Sequence, residues 1–263
     1  MAETGSNASD QQAGAEVHAF GIDFGGSGIK GAPVDLEQGD FAEERLRIET
    51  PQPSTPQAVA AVFAELLTKF PVSDGPVGVT VPGVVVKGVV HSAANIDKHW
   101  IGEDADRLIT ERTGRDVHVV NDADAAGLAE VRYGAAKGRR GLVIVTTLGT
   151  GIGSALVYDG VLVPNSELGH LEIDGHDAEK RAAASARERE DLSWEEWATR
   201  LTVYYRKLED LFSPELFVVG GGVSKKADQF LPLVDIETEI VPAQLRNAAG
   251  IVGAALYATE SET

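Results

Sequence analysis

The stretch "GIDFGGSGIKGAPVDL" (21–36) decides how the chain is read. It contains "GSGIKG", a literal G-x-G-x-x-G. That string carries a pyrophosphate when it comes after a strand and opens a helix. Glu43 and Glu44 even lie downstream, where an acid would meet a ribose. The residues beyond the glycines are not helical in pattern. "IKGAPVDL" (29–36) is strand-like, and its Pro33 would interrupt a helix interior. The preceding "VHAFGIDF" (17–24) is apolar, with β-branched and aromatic residues, and predicts a buried strand. The unit is therefore expected to be a glycine-turned β-hairpin. A dinucleotide oxidoreductase loses its support, because no helix N-terminus stands behind the glycines.

Outward from this hairpin the pattern returns. "GLVIVTTLGTGIGSALVYDG" (141–160) again reads as strand, glycine turn, strand, and "LFVVGGGVSKK" (216–226) as strand, glycines, then helix. Further strands are expected over 41–49, 76–83, 84–91 and 117–120. Helices are expected over 54–70, 104–114, the "NDADAAGLAEVRYG" segment (121–134), 193–212 and 247–258. Thr55 is placed to cap the first of these, with Pro56 in its first turn, and Ser193 with Glu196 forms a capping box. The echo of the hairpin predicts two related α/β halves facing each other across a cleft. One lobe is expected over 17–121, completed by 247–258, and the other over 122–246. Residues 1–16 read as a disordered polar tail.

Composition bounds the function. The chain has 263 residues, 43% of them hydrophobic, which supports a sizeable core. It has no cysteine, so disulfides, thiolate zinc sites and cysteine nucleophiles are excluded. The formal net charge of −18 speaks for a solvated acidic surface and against general nucleic-acid binding, though not against a local basic site. No apolar run approaches the ~20 residues of a membrane span. The polar start lacks the basic and apolar regions of a signal peptide. A cytoplasmic protein without membrane or nucleic-acid partners is the expectation, as monomer or homodimer.

Three glycine turns each end an apolar strand: "DFGGSGIK", "LGTGIGS" and "VGGGVSK". Successive glycine amides make nests for anions. None is a Walker A loop. "GIDFGGSGIKGAPVD" resembles the first phosphate motif of the sugar kinase/Hsp70/actin superfamily. "TLGTGIGSALVYDG" with "ELGHLEIDG" after it resembles the signature of the ROK sugar kinases, named for repressor, open reading frame and kinase. "HSAANIDK", "VNDADAAGLAE", "GGGVSKKAD" and "NAAGIVGAA" are most similar to the actinobacterial polyphosphate glucokinase branch, including its polyphosphate/ATP glucomannokinase type.

The resemblance implies a two-lobed actin-like α/β ATPase fold with a central cleft. It implies phosphoryl transfer to the 6-hydroxyl of glucose, with mannose as a second acceptor. Inorganic polyphosphate is the implied donor, with ATP as another, and Mg²⁺ accompanies the donor near Asp23. Asp122 becomes the base that takes the hydroxyl proton; read alone, it could equally cap the helix it begins. Asn95, Asn121, Asp122, Glu167, His170 and Glu179 become sugar ligands, with Glu172 a rival for the last position. Asp23, Gly25, Gly26, Ser27, Lys30, Gly149, Thr150, Gly151, Gly221 and Gly222 become phosphate contacts.

The chain departs from its relatives after "GHLEIDG". Where they carry a cysteine-rich zinc segment it has "HDAEKRAAASARERE", so no zinc is expected. A polyanion approaching a chain of charge −18 needs a basic track. Lys30, Lys137, Arg139, Arg140, Lys225 and Lys226 are its candidates. A strictly ATP-dependent glucokinase and a non-catalytic sugar-sensing regulator remain the alternatives. Regulators of this group carry an N-terminal helix-turn-helix, which the polar start does not suggest.

Overall fold

The computed structural model describes residues 18–70 and 75–261. The tail expected over 1–16 lies outside the described residues. The opening hairpin forms as expected. β1 (His18–Phe24) and β2 (Ile29–Asp35) pair antiparallel from His18 opposite Asp35 to Phe24 opposite Ile29. β2 also pairs with β3 (Asp40–Phe41) and β4 (Leu46–Ile48). The single strand expected over 41–49 is thus two short ones.

α1 (Pro56–Thr68) starts where the cap signal placed it: Thr55 accepts from the Ala58 amide at 3.4 Å. Its Val59, Phe63 and Leu66 are buried at helical spacing. β5 (Val77–Val81) is buried throughout and lies parallel to β1. The strand expected over 84–91 is instead a small hairpin of β6 (Val85–Val86) and β7 (Val89–Val90). It folds back because Lys87 and Gly88 both take positive φ, +51° and +76°. α2 (Ala105–Thr113) ends at Gly114 with φ +68°. β8 (Val117–Asn121) completes the first sheet, in the order β3-β2-β1-β5-β8.

α3 (Asp122–Arg132) leads to the second sheet. β9 (Leu142–Leu148) and β10 (Ile152–Tyr158) repeat the antiparallel glycine-turned hairpin, and β11 (Val161–Val163) extends it. A hairpin of β12 (Glu172–Ile173) and β13 (His176–Asp177) comes next, then two short helices, α4 (Ala178–Ala182) and α5 (Ala184–Arg189). α6 (Trp194–Phe212) carries the full Ser193/Glu196 capping box and buries Trp197, Leu201, Tyr204, Tyr205 and Leu208 on one stripe. β14 (Leu216–Gly220) and β15 (Ile240–Pro242) add parallel strands, giving the order β11-β10-β9-β14-β15. The helix expected after "VVGGG" is a run of 3-10 turns over Gly222–Gln229, kinked at Lys226.

Each sheet thus places an antiparallel hairpin on one side and two parallel strands on the other, in the same order. This is the two-lobed actin-like architecture. The first lobe's core clusters around Phe24, Phe63 and Trp100, and the second's around Trp197, Phe230, Tyr205 and Phe217. The last helix, α7 (Ala249–Ser261), packs on β1, β5 and α3, and runs three residues beyond the expected 258.

Candidate active site

The site is built around the junction of β8 and α3. Asn121 ends the strand in extended geometry and caps the helix: its Oδ1 accepts from the Ala123 and Asp124 amides at 2.8 and 3.1 Å. Its Nδ2 donates to the Gly83 carbonyl at 3.0 Å. One amide hydrogen is all Asn121 retains for a ligand. Because Asn121 caps, Asp122 does not have to. Asp122 occupies the first helical position, takes the Ala123 amide on Oδ1 at 2.9 Å, and turns the rest of its carboxylate to the cleft.

Two cavities meet there. The larger, about 680 Å³, runs between the lobes and is bordered by Asn95 and His91 on one side and Glu167, His170 and Glu179 on the other. The inner one, about 210 Å³, holds Asp23, Lys30, Gly221, Gly222, Lys225 and Arg246. Asp122, Thr147 and Gly221 border both. A third cavity of about 580 Å³ continues outward, sharing Lys225 and Arg246 with the inner one and adding Arg139 and Gln244.

Electrostatics single out the junction. Asp122 is itself solvent-accessible and borders both cavities. Desolvation first, then the charge of Asp23, pushes its carboxyl up to about 6, against the helix amide of Ala123. Glu167 is also raised, by desolvation above all, while His170 opposes. Glu167 and Glu179 flank His170 at 3.9 and 3.8 Å, too long for hydrogen bonds, so these polar groups are not paired with one another beside the cavity. Glu179 is held in place by the Ile152 amide at 3.2 Å. Its rival Glu172 is exposed and borders none of these cavities.

The glycine turns distribute differently from the sequence expectation. In the first, Gly25 and Gly28 exchange amides and carbonyls within the turn, at 3.1 and 3.4 Å. The carbonyls of Gly25, Gly26 and Ser27 accept from Thr50, Gln52 and Arg47. Gly25, Gly26 and Ser27 border neither cavity; the hairpin delivers Asp23 and Lys30 to the inner one, paired at 3.1 Å. Gly149, Thr150 and Gly151 border the larger cavity rather than the inner one, whereas Gly221 and Gly222 border the inner one.

The basic candidates separate as well. Lys30 and Lys225 border the inner cavity and Arg139 the outer, where it is tied to Glu239 at 2.7 Å. Lys137, Arg140 and Lys226 border none of the three; Lys226 lies 5.8 Å above the Trp194 ring. Arg246, which the sequence reading passed over, is the cation common to the inner and outer cavities besides Lys225. Nothing in "QLRNAAG" marks it, since a lone arginine before a helix has no signature.

Among the described residues no group of three or more His, Cys, Asp or Glu forms a metal-binding cluster. Mg²⁺ needs less, because it keeps several waters and is held through one or two carboxylates plus phosphates. Asp23 fits that role on the floor of the inner cavity, with Thr80 at 3.3 Å on its other oxygen.

A family model described as the ROK family matches residues 19–186. The chain belongs to the ROK family. It is 50% identical to a polyphosphate glucokinase of Mycobacterium tuberculosis over 265 aligned residues, covering 100% of both chains. The structure is similar to that of an inorganic polyphosphate/ATP-glucomannokinase from Arthrobacter sp. strain KM: TM-score 0.87, 57% identity, covering 93% of this chain and 99% of that one. It is also similar to a ROK family glucokinase from Streptomyces griseus in complex with glucose and AMPPNP, at TM-score 0.78 and 25% identity, covering 92% and 99%. In this ROK chain the cysteine-free segment after Gly175 carries Glu179 to the cavity wall on α4. No helix among the described residues is long and apolar enough to cross a membrane.

Proposed function

We propose that the chain transfers a phosphoryl group from inorganic polyphosphate, and also from ATP, to the 6-hydroxyl of glucose. The observation that carries this reading is the position of Asp122, where a cavity lined by polar groups opens onto an inner cavity bordered by Lys30, Lys225 and Arg246. The full-length similarity to a polyphosphate glucokinase supports the donor.

In this reading the sugar lies in the larger cavity against Glu167, His170 and Glu179, with Asn95 from the facing lobe. Asp122 takes the proton of the 6-hydroxyl. The oxygen attacks the terminal phosphorus, and the bond to the bridging oxygen breaks. The chain leaves one phosphate shorter, and the proton passes from Asp122 to solvent when the product departs. Lys30, Lys225, Arg246 and the Gly221–Gly222 backbone offset the charge that spreads over the transferred group. Asp23 would hold Mg²⁺ brought by the donor, which would supply further positive charge there. Mannose, differing at the 2-hydroxyl, is a second acceptor in proportion to how few buried groups depend on that hydroxyl.

Glucose 6-phosphate formation by the purified chain, measured separately with polyphosphate and with ATP, tests the reading. Turnover with ATP alone would leave a strictly ATP-dependent glucokinase. Glucose binding without turnover by either donor would leave the sugar-sensing alternative.

A further inference from the structure

Four hydrogen bonds close a ring around Asp122 that the chemistry above does not use. Asn121 donates to the Gly83 carbonyl at 3.0 Å. Beyond Asp122 on the same helix, the buried Asp124 accepts the Asn165 amide on Oδ2 at 2.7 Å. Asn165 then takes both backbone groups of Val85: it accepts the Val85 N–H at 2.9 Å and donates to the Val85 carbonyl at 2.8 Å. Gly83 and Val85 belong to one segment of the first lobe, so the ring is complete.

Its members are placed where the sugar walls begin. The segment after Val85 carries His91 and Asn95, and Asn165 stands two residues before Glu167. Among the described residues, no other hydrogen bond or ion pair joins residues 18–120 directly to residues 141–243. Asn165 makes this link from left-handed backbone, φ +61°, which an asparagine tolerates better than most residues. Asp124 is 1% exposed, and its Oδ1 has no partner in the protein. A buried carboxyl kept at that cost is held for the amide it fixes.

We infer that Asn165 is a positioning residue: with Asp124 behind it, it sets the spacing of the two sugar walls and their alignment with Asp122. The inference rests on the larger cavity being the sugar site. Without the link each wall moves independently, and ordering both on the sugar is left to the binding step.

Asn165→Gly tests it, because glycine accepts the positive φ and keeps the amide for Asp124 while deleting both bonds to Val85. The glucose KM should rise about tenfold, the scale of one to two net hydrogen bonds. The donor KM at saturating glucose should move less than about twofold, as the inner cavity lies on the other side of Asp122. Asp124→Ala should raise the glucose KM in the same direction, and the double variant should be no worse than the poorer single one. Asp124→Asn, which keeps an acceptor for the Asn165 amide, should restore most of the loss.

A wild-type glucose KM in Asn165→Gly would overturn the inference, and so would a lowered melting temperature with an unchanged KM. Amide exchange needs no substrate and separates this outcome from failure of the proposed function. Val85 should exchange about tenfold faster in Asn165→Gly, and unchanged protection there would also overturn the ring.

Discussion

Asp122 is where geometry and electrostatics converge, and its predictions are the most direct. Asp122→Asn should leave glucose affinity within a small factor while kcat falls by about 10²–10⁴, the range for losing a general base. Calorimetric glucose binding beside steady-state rates checks this. Since desolvation at the cleft and the charge of Asp23 hold the carboxyl up to about 6, kcat/KM for glucose should fall as pH drops through that value. Stability runs the other way. The folded chain binds this proton up to about 6, the unfolded chain only near the ordinary 3.8. The group's contribution to stability is therefore full below the lower value and lost as pH rises through the upper one. Asp122→Asn should melt higher than the wild type at pH 7.5, and the difference should vanish near pH 4; melts at both values decide it. Asp122 was legible in "VVNDADAAG" through the family resemblance, since read alone an acid at a strand-to-helix junction could equally be a cap. Asp124 was not. Two residues along a helix turn the side chain through about 200°, so it faces the 164–167 loop, a contact no local pattern encodes.

At the scale of elements, the helix "NAAGIVGAALYA" was legible through its small residues, and the structure shows what they admit. A Cβ on Gly253 would stand 1.8 Å from the Ala125 carbonyl oxygen of α3, and one on Gly78 of β5 would stand 1.8 Å from that of Ala254. Backbone meets backbone at both places, so neither can yield by a rotamer change. Gly253→Ala should destabilise the chain by about 1–3 kcal/mol or more, read from thermal or denaturant unfolding. The rewritten segment holding α4 and α5 makes a second prediction. Glu179 is placed by the Ile152 amide, and α4 by the Trp197 indole N–H donating to the Ala182 carbonyl at 3.0 Å. On the proposed reading, in which Mg²⁺ accompanies the donor, excess chelator should abolish turnover yet leave the melting temperature within about a degree. A structural zinc, which elemental analysis would also reveal, would instead make the chain melt lower. Three elements read from sequence came out differently, over 41–49, 84–91 and 222–229. The last two break at residues whose backbone angles the apolar pattern does not report, Lys87–Gly88 and Lys226.

At the scale of the whole molecule, the charge of −18 and a polyanionic donor pull in opposite directions. On the proposed reading the inner and outer cavities resolve this locally, where Lys30, Lys225, Arg246 and Arg139 stand among Asp23, Asp122, Glu130, Asp228 and Glu239. Polyphosphate use should fall with added salt more steeply than ATP use, since more phosphates are engaged. Arg246→Ala should lower kcat/KM for polyphosphate by about tenfold or more, the scale of one charged hydrogen bond, and that for ATP by less. Lys225→Glu should behave like Arg246→Ala, whereas Lys226→Glu, over the Trp194 ring and off the cavities, should change neither donor much. Equal losses for the two donors would remove the outer cavity from the polyphosphate path.

The sequence by itself determined the doubled strand–glycine–strand units, the capped helices, the absence of thiolate chemistry and the residue types of the cleft. Those properties reside in local periodicity, in φ preferences and in composition, which neighbours along the chain largely dictate. Only the tertiary structure decided that Asn121 rather than Asp122 caps α3, and that Glu179 rather than Glu172 reaches the cavity. It also brought Arg246 beside Lys225, and let one asparagine join the lobes at Val85. Apart from the Asn121 cap, which is local, these depend on how the two sheets meet, and contacts between residues some 80 positions apart leave no trace in the pattern of either segment.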